Sequence, residues 1–343
     1  MRSPVLPTAA VLAVAAVGLA GCLHGHSPGL TLGYFPNLTH AQALIGIQDG
    51  LFAREIGALD VPFATVSFNA GPTAIEALLT DQVDATYVGP APTLNGLIAT
   101  GGDVLRVIAG GASGGARFIV QEGTTLDGSN LGGKALATPQ LGNTQDISLK
   151  AWLASQGHRS KDIGGDVQVI NAANPDILTL FKLHQIAGAW VPEPWATRLE
   201  RDGGGHEQID ERTLWPGGMF ATTVLVTTQA YMDAHPDRVA ALLRAHAEAT
   251  KIANAGGPAL VTTLNDAIHD ATKQRLPESL LASALTKVNF TNDPLPSTLT
   301  AFADKARGLG LASGSVPAMH QVVHLDALNA VLVARGESEV PQP

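Results

Sequence analysis

Two stretches of the chain read as one unit used twice: FNAGPTAIEALLTDQVDATYVGPAP at 68–92 and INAANPDILTLFKLHQIAGAWVPEPW at 170–195. Each opens on an apolar residue and Asn-Ala, followed by Pro72 or Pro175, a residue suited to a helix's first turn. Each continues at helical apolar spacing, through Ile75, Leu78 and Leu79 in one and Ile177, Leu178 and Phe181 in the other. Each then runs through Gln82-Val83 or Gln185-Ile186 into a short apolar strand with Tyr87 or Trp190, and ends in a turn containing proline. An insertion of one residue at Asn174 brings the two into register. An internal repeat constrains a fold more than a single motif does. A strand–helix–strand unit used twice predicts two similar α/β lobes.

The rest of the chain fits that expectation. Strand-like runs recur at LTLGYF (30–35), VPFATVSF (61–68), LRVIAGG (105–111), FIVQE (118–122), KALATP (134–139), DVQVIN (166–171) and TTVLVTT (222–228). Helical segments lie between many of them, as a largely parallel sheet requires. After residue 228 the chain turns helical, and its last helix ends in Arg335-Gly336, a suitable stop. The predicted class is α/β, with two lobes that are each a mostly parallel sheet flanked by helices. Lobe I is assigned to 30–115 and 219–343, lobe II to 116–218. Two crossings between the lobes make a hinge with a cleft above it.

With 343 residues the chain has room for two ordinary domains. Apolar residues make up 45% and charged residues 15%, the composition of a packed protein. A net charge of −9 without a Lys/Arg cluster argues against nucleic acid and against docking on an acidic membrane through basic residues. At the N-terminus, Arg2 and the apolar run 9–20 lead into Leu19-Ala20-Gly21-Cys22. Small residues before a cysteine resemble the lipobox of bacterial lipoproteins, in which the chain is cut before a lipidated Cys. Residues 1–21 are therefore expected to be a signal peptide, Cys22 the lipidation site and 22–29 a tether.

Catalytic motifs fail on context. Gly111-Ala-Ser113-Gly-Gly115 matches GxSxG literally, but a nucleophile elbow needs a following helix and ARFIVQE reads as a strand. Ser113 is kept as a hinge-side hydroxyl for a ligand. Gly128-SNLG-Gly133-Lys134 approaches a P-loop but lacks the Ser/Thr and precedes its strand. His320 and His324 stand four apart with no third metal ligand. Without a nucleophile, an acid–base pair or a metal cluster, binding is the better expectation, with no cofactor.

In open α/β lobes ligands sit beyond the carboxyl ends of the strands, where helix N-termini converge. Four segments fall there. The first offers Tyr34, Asn37, Thr39 and His40, the second Asn69 and Gly71, the third Gly89 and Pro90. The fourth, TPQLGNTQD, offers Gln140, Gly142, Asn143 and Thr144 with no Lys or Arg among them. Helix-start N–H groups bind anions without a formal cation, and Asn and Thr add donors. Asn143 and Thr144 could equally be capping the helix they precede. At the corresponding end in lobe II, Trp190 and Trp195 could line an apolar wall. Glu193 could pair with a ligand ammonium or favour the neighbouring helix N-terminus.

Together, the cysteine motif, GYFPNLTHAQAL, FNAGPTAIEALL, QVDATYVGPAP, ATPQLGNTQD and GAWVPEPWATRL resemble the substrate-binding proteins of ABC importers, specifically those for aliphatic sulfonates, taurine and nitrate. The resemblance covers about residues 30–255. It implies a two-lobed periplasmic-binding-protein fold of type II that closes over a small solute. It also implies a monomeric, exported, lipid-anchored receptor that delivers the solute to a permease driven by a separate ATPase. The expected solute is a small organic anion, an aliphatic sulfonate foremost, with Trp190 or Trp195 against its carbon tail. Nitrate, taurine and a thiamine-pyrimidine-like heterocycle are the alternatives, and an enzyme on the same scaffold is disfavoured by the export signal. Pro192 stands where relatives often carry an aromatic residue before the acidic-Pro pair.

Overall fold

The computed structural model describes residues 29–315 and 317–343. Residues 1–28, with the expected signal peptide, Cys22 and most of the tether, lie outside the described residues. The chain builds β1 (Leu30–Tyr34), β2 (Phe63–Ser67), β3 (Ala85–Val88) and β4 (Leu105–Gly114), then crosses to a second sheet. That sheet holds β5 (Ala116–Gln121), β6 (Ala135–Thr138), β7 (Gln168–Asn171), β8 (Gly188–Pro192) and β9 (Gly205–Asp210). The chain then returns with β10 (Ala221–Thr228) and β11 (Val288–Phe290). Strand order is β11-β4-β10-β3-β1-β2 in the first sheet and β7-β6-β8-β5-β9 in the second.

The intervening helices are α1 (Ala41–Gln48), α2 (Leu51–Gly57), α3 (Gly71–Leu79), α4 (Pro90–Ala99), α5 (Thr144–Ser155), α6 (Asn174–Lys182) and α7 (Trp195–Arg201). Helices then dominate from Gln229 to Ala334. The repeat corresponds to α3-β3-α4 in one sheet and α6-β8-α7 in the other. Pro72 and Pro175 sit in the first turns of α3 and α6, where a missing N–H costs nothing.

Both sheets are mixed. In the first, β1 to β4 share one direction and β10 and β11 oppose it. In the second, β5 alone opposes the other strands. The reversed strands β5 and β10 are the first strands after each crossing. Each inserts antiparallel into the interior of its sheet, which ties a crossing to a core. Two strands were not foreseen. GHEQID, which forms β9, has no apolar alternation and lies half-buried on a sheet edge, and β11 is only three residues long.

The first crossing is short. Gly114 and Gly115 both take positive φ, 75° and 71°, which favours glycine. This is the GASGG stretch, and no helix follows it. Ser113 is buried, and its hydroxyl accepts the Phe220 N–H at 3.1 Å, joining the first crossing to the second. At the second crossing, Glu211 is fully buried and accepts from Ser148 Oγ (2.6 Å) and Trp190 Nε1 (2.7 Å). Burial pushes its carboxyl up from the ordinary value, opposed by Ser148, Trp190 and Lys305. Trp215 stacks on Phe220 beside it, with ring centroids 5.4 Å apart.

Glu193 is also fully buried, but it faces Arg117 of β5. Arg117 Nε lies 2.8 Å from Glu193 Oε1, and the Thr197 N–H donates to Oε2 at 3.1 Å. The same guanidinium meets Glu200 and Glu207 at 2.8 Å each, and Lys287 reaches Glu207 from the first sheet at 2.8 Å. A pair this deep returns little net stability, yet losing one partner is severe. Arg117→Met is expected to lower unfolding free energy by about 3–5 kcal/mol in urea titrations, with part recovered by adding Glu193→Gln. A loss under about 1 kcal/mol would show that the pair does not hold β5 to β8.

Candidate functional site

At the carboxyl ends of β1, β3, β6 and β8 the two sheets face each other across a cavity of about 30 Å³. A single water needs about 10–15 Å³ by the same measure, so the space suits a compact group rather than an aromatic ring. Four helix N-termini reach it, through Gly71 of α3, Gly89 before α4, Asn143, Thr144 and Gln145 at α5, and Asn174 of α6. The turn after β1 adds Phe35, Asn37, Thr39 and His40, and β10 adds Thr222. No Asp, Glu, Lys or Arg is among the described lining residues.

First-turn N–H groups have no partner inside their own helix. Those of Gly71, Thr144, Gln145 and Asn174 belong to residues on the cavity wall. Helix α4 differs, because Pro90 and Pro92 carry no N–H and Ala91 N–H is directed at Thr144 Oγ1 at 3.4 Å. This last contact crosses between the sheets. A Cβ on Gly89 would lie 2.3 Å from Thr144 Oγ1, so only glycine permits so close an approach.

Three polar side chains, Asn37, His40 and Asn143, are held with an acceptor turned toward a protein N–H. Asn143 is the N-cap of α5, and its Oδ1 accepts the Asp146 N–H at 2.8 Å. Asn37 Oδ1 accepts Trp195 Nε1 at 3.0 Å. Because both partners are N–H groups, each amide orientation is determined and each Nδ2 remains a donor. His40 Nδ1 faces the Phe35 N–H at 3.4 Å, and burial pushes its pKa down to about 3. The imidazole is therefore neutral and carries its proton on Nε2, again a donor. Behind this wall, Asp146 gathers Thr138, Asn171, the Gly142 N–H and Lys150, which fixes the turn before α5.

Of the residues singled out in the sequence, Asn37, Thr39, His40, Asn69, Gly71, Gly89, Asn143 and Thr144 meet at this cavity. The others lie elsewhere. Tyr34 points into a separate pocket beside Leu44, Ile47 and Asp270. Pro90 has no N–H to offer, and Ser113 is engaged with Phe220. Gln140 flanks an adjoining groove shared with Asn69 and Pro139, and Gly142 serves Asp146. Trp190 is wholly buried against Phe118 with its N–H on Glu211, and Glu193 belongs to Arg117, so neither wall nor ammonium site forms from them. Trp195 orients Asn37 from behind. The apolar wall is instead Phe35, Pro92, Pro139 and Pro192. Sequence reasoning also missed Ala70, Gln145, Asn174 and Thr222. Position at a helix start was a usable signal for Gln145 and Asn174, and none marked Thr222.

Comparison with known proteins places these features in context. The NMT1-like family matches residues 24–261. The taurine-binding periplasmic protein of Escherichia coli (strain K12) is 27% identical over 212 residues, 60% of this chain and 61% of that protein. The match thus spans about three fifths of that relative's length. The alkanesulfonate-binding protein of Xanthomonas axonopodis pv. citri, solved with MOPS, has a TM-score of 0.69 at 19% identity, covering 86% of this chain and 96% of its own. The nitrate-binding protein of Synechocystis PCC 6803 has a TM-score of 0.73 at 16% identity, covering 90% and 89%. The two structural likenesses are of fold, that of periplasmic binding proteins.

Asn143 has a capping end and a cavity end, and two substitutions separate them. Asn143→Ser keeps an N-cap acceptor and should hold thermal stability, while loss of the amide donor is expected to weaken binding of a ligand held in this cavity by about 1–3 kcal/mol. Asn143→Ala should lose that affinity and about 1 kcal/mol of stability as well. Calorimetric binding and thermal melts read the two effects, and a serine variant that binds like the parent would reduce Asn143 to a cap.

Proposed function

The chain belongs to the NMT1-like family, and on that premise we propose that it is an extracytoplasmic solute receptor that captures a small monoanion, an aliphatic sulfonate foremost. The observation that carries this reading is the neutral cavity in which Asn37, His40 and Asn143 present donors beside unspent helix N–H groups. Sulfonates and nitrate stay singly charged across physiological pH and are weak bases, so they need many donors and no full countercharge. Water exclusion in so small a space strengthens each of those bonds. The likeness to binding proteins for taurine, alkanesulfonate and nitrate supports the same class. Nitrate is the second reading, supported by the likeness to a nitrate-binding protein.

In this reading residues 30–115 with 219–343 form one lobe and 116–218 the other, and they close over the solute about the two crossings. The receptor is exported, anchored by lipid on Cys22, and hands its solute to an ABC permease driven by a separate ATPase. The likeness to binding proteins for taurine, alkanesulfonate and nitrate supports a receptor rather than an enzyme.

Titration calorimetry against ethanesulfonate, nitrate, taurine and sulfate tests the ligand class. Binding of ethanesulfonate or nitrate is expected, with taurine at least tenfold weaker because no carboxylate faces its ammonium. Failure of both monoanions to bind would sink the reading. Closure is tested at Gly89: Gly89→Ala wedges a methyl against Thr144 and should weaken binding at least tenfold while leaving the ligand-free melt unchanged. Small-angle scattering of that variant with ligand should stay expanded, and parental compaction would refute the interlobe role of this contact.

A further inference from the structure

Asn174 stands apart from the other amides of the cavity. Its side chain is 6% exposed and lines the space, yet its Oδ1 is buried without a hydrogen-bond partner. Among the described residues it is the only cavity-lining side chain with such an orphaned atom. It does not cap α6 either, since it is the first helical residue and the N-cap is Ala173. Asn174 is the residue inserted in the second copy of the repeat, and it opens α6 as Gly71 opens α3; both line the cavity. The insertion thus places a carboxamide at a helix start where the first copy has no side chain.

A buried amide oxygen without a partner is unfavourable unless something else supplies the hydrogen bond. Asn37 and Asn143 are locked as donors by N–H groups behind them. No described protein group engages Asn174 Oδ1, and no printed hydrogen bond holds the other end of the amide, so the side chain can turn its oxygen to a ligand in the cavity that the residue lines. We propose that Asn174 is the specificity-determining residue of the site and accepts a hydrogen bond from a neutral hydroxyl carried beside the ligand's anionic head. This rests on the reading of the cavity as a sulfonate site. It narrows that class to small hydroxyalkanesulfonates. A hydroxyl satisfies a lone amide oxygen, whereas an ammonium needs the carboxylate that the lining lacks.

The test compares ethanesulfonate with 2-hydroxyethanesulfonate by calorimetry on the parent and on Asn174→Ala. The parent should bind the hydroxylated anion at least fivefold more tightly, and the variant should bind the two alike. Equal affinities in the parent, or an unchanged ratio in the variant, overturns the proposal. The ligand-free melting temperature of Asn174→Ala should be unchanged or raised, because no protein hydrogen bond is lost. A fall of several degrees would assign Asn174 a structural role instead. If the parent binds neither sulfonate, the ligand class fails separately. Native mass spectrometry of the solute carried by the purified parent then decides on Asn174, and equal retention by the variant, or an empty parent, overturns its role.

Discussion

The site depends on several helices ending at one point. A helix N-terminus carries the equivalent of roughly half a positive charge, spread over N–H groups that its own helix cannot satisfy. Where α3, α5 and α6 meet, three such ends share a small volume. Together they make a positive region without any ionisable group. A lysine or arginine in the same space would have to be desolvated when the site is empty, at a cost of several kcal/mol. Helix ends avoid much of that cost, because their dipoles are fixed by the fold and paired along the rest of the helix. The choice of side chains follows from this. Asn37, Asn143 and His40 each turn an acceptor toward a protein N–H, so that what faces the ligand has the same sign as the helix ends.

Bringing the helix ends together requires the two sheets to be joined firmly at one end and free to approach at the other. The joint is built of groups that leave little slack. Gly114 and Gly115 turn the chain in a conformation that suits glycine, and Ser113 ties the outgoing strand to Phe220 at the returning one. Buried Glu211 draws Ser148, Trp190 and Trp215 onto the second crossing. Arg117 holds β5 to β8 through Glu193 and reaches the first sheet indirectly through Glu207 and Lys287. Both buried carboxylates are therefore structural, and each sits near a crossing. At the cavity the sheets also meet, through the Thr144 hydroxyl against Gly89 and Ala91 and through Trp195 Nε1 on Asn37 Oδ1.

The architecture was legible because it is written in periodicity. The repeat, the helical spacing after Pro72 and Pro175 and the β-branched runs all report local geometry, and each appears in the structure as the corresponding element. Edge strand β9 escaped because its residues are polar. The site was legible by segment and less so by side chain. Tyr34, the last residue of β1, meets a different pocket, while Phe35, the first residue of the turn that follows, meets the cavity. Glu193 was open to two readings because its partner Arg117 lies 76 positions upstream, and no local pattern signals an ion pair of that span. Trp190 looked like a ligand wall by position, but its indole N–H is taken by Glu211, itself distant in sequence.

The first copy of the repeat contributes Asn69, Ala70, Gly71, Gly89 and Pro92 to the wall, and among these the two glycines bring backbone close. Absence of side chains there is what allows Thr144 to approach across the gap. In the second sheet the wall is Asn143, Thr144, Gln145 and Asn174, which fill the space the glycines leave open. Directional side chains come from both sheets, Asn37, His40 and Thr222 from the first and Asn143, Gln145 and Asn174 from the second. Those on α5 and α6 stand apart from the crossings, the buried ion pairs and the glycine face, so they can vary while those features remain under a separate constraint.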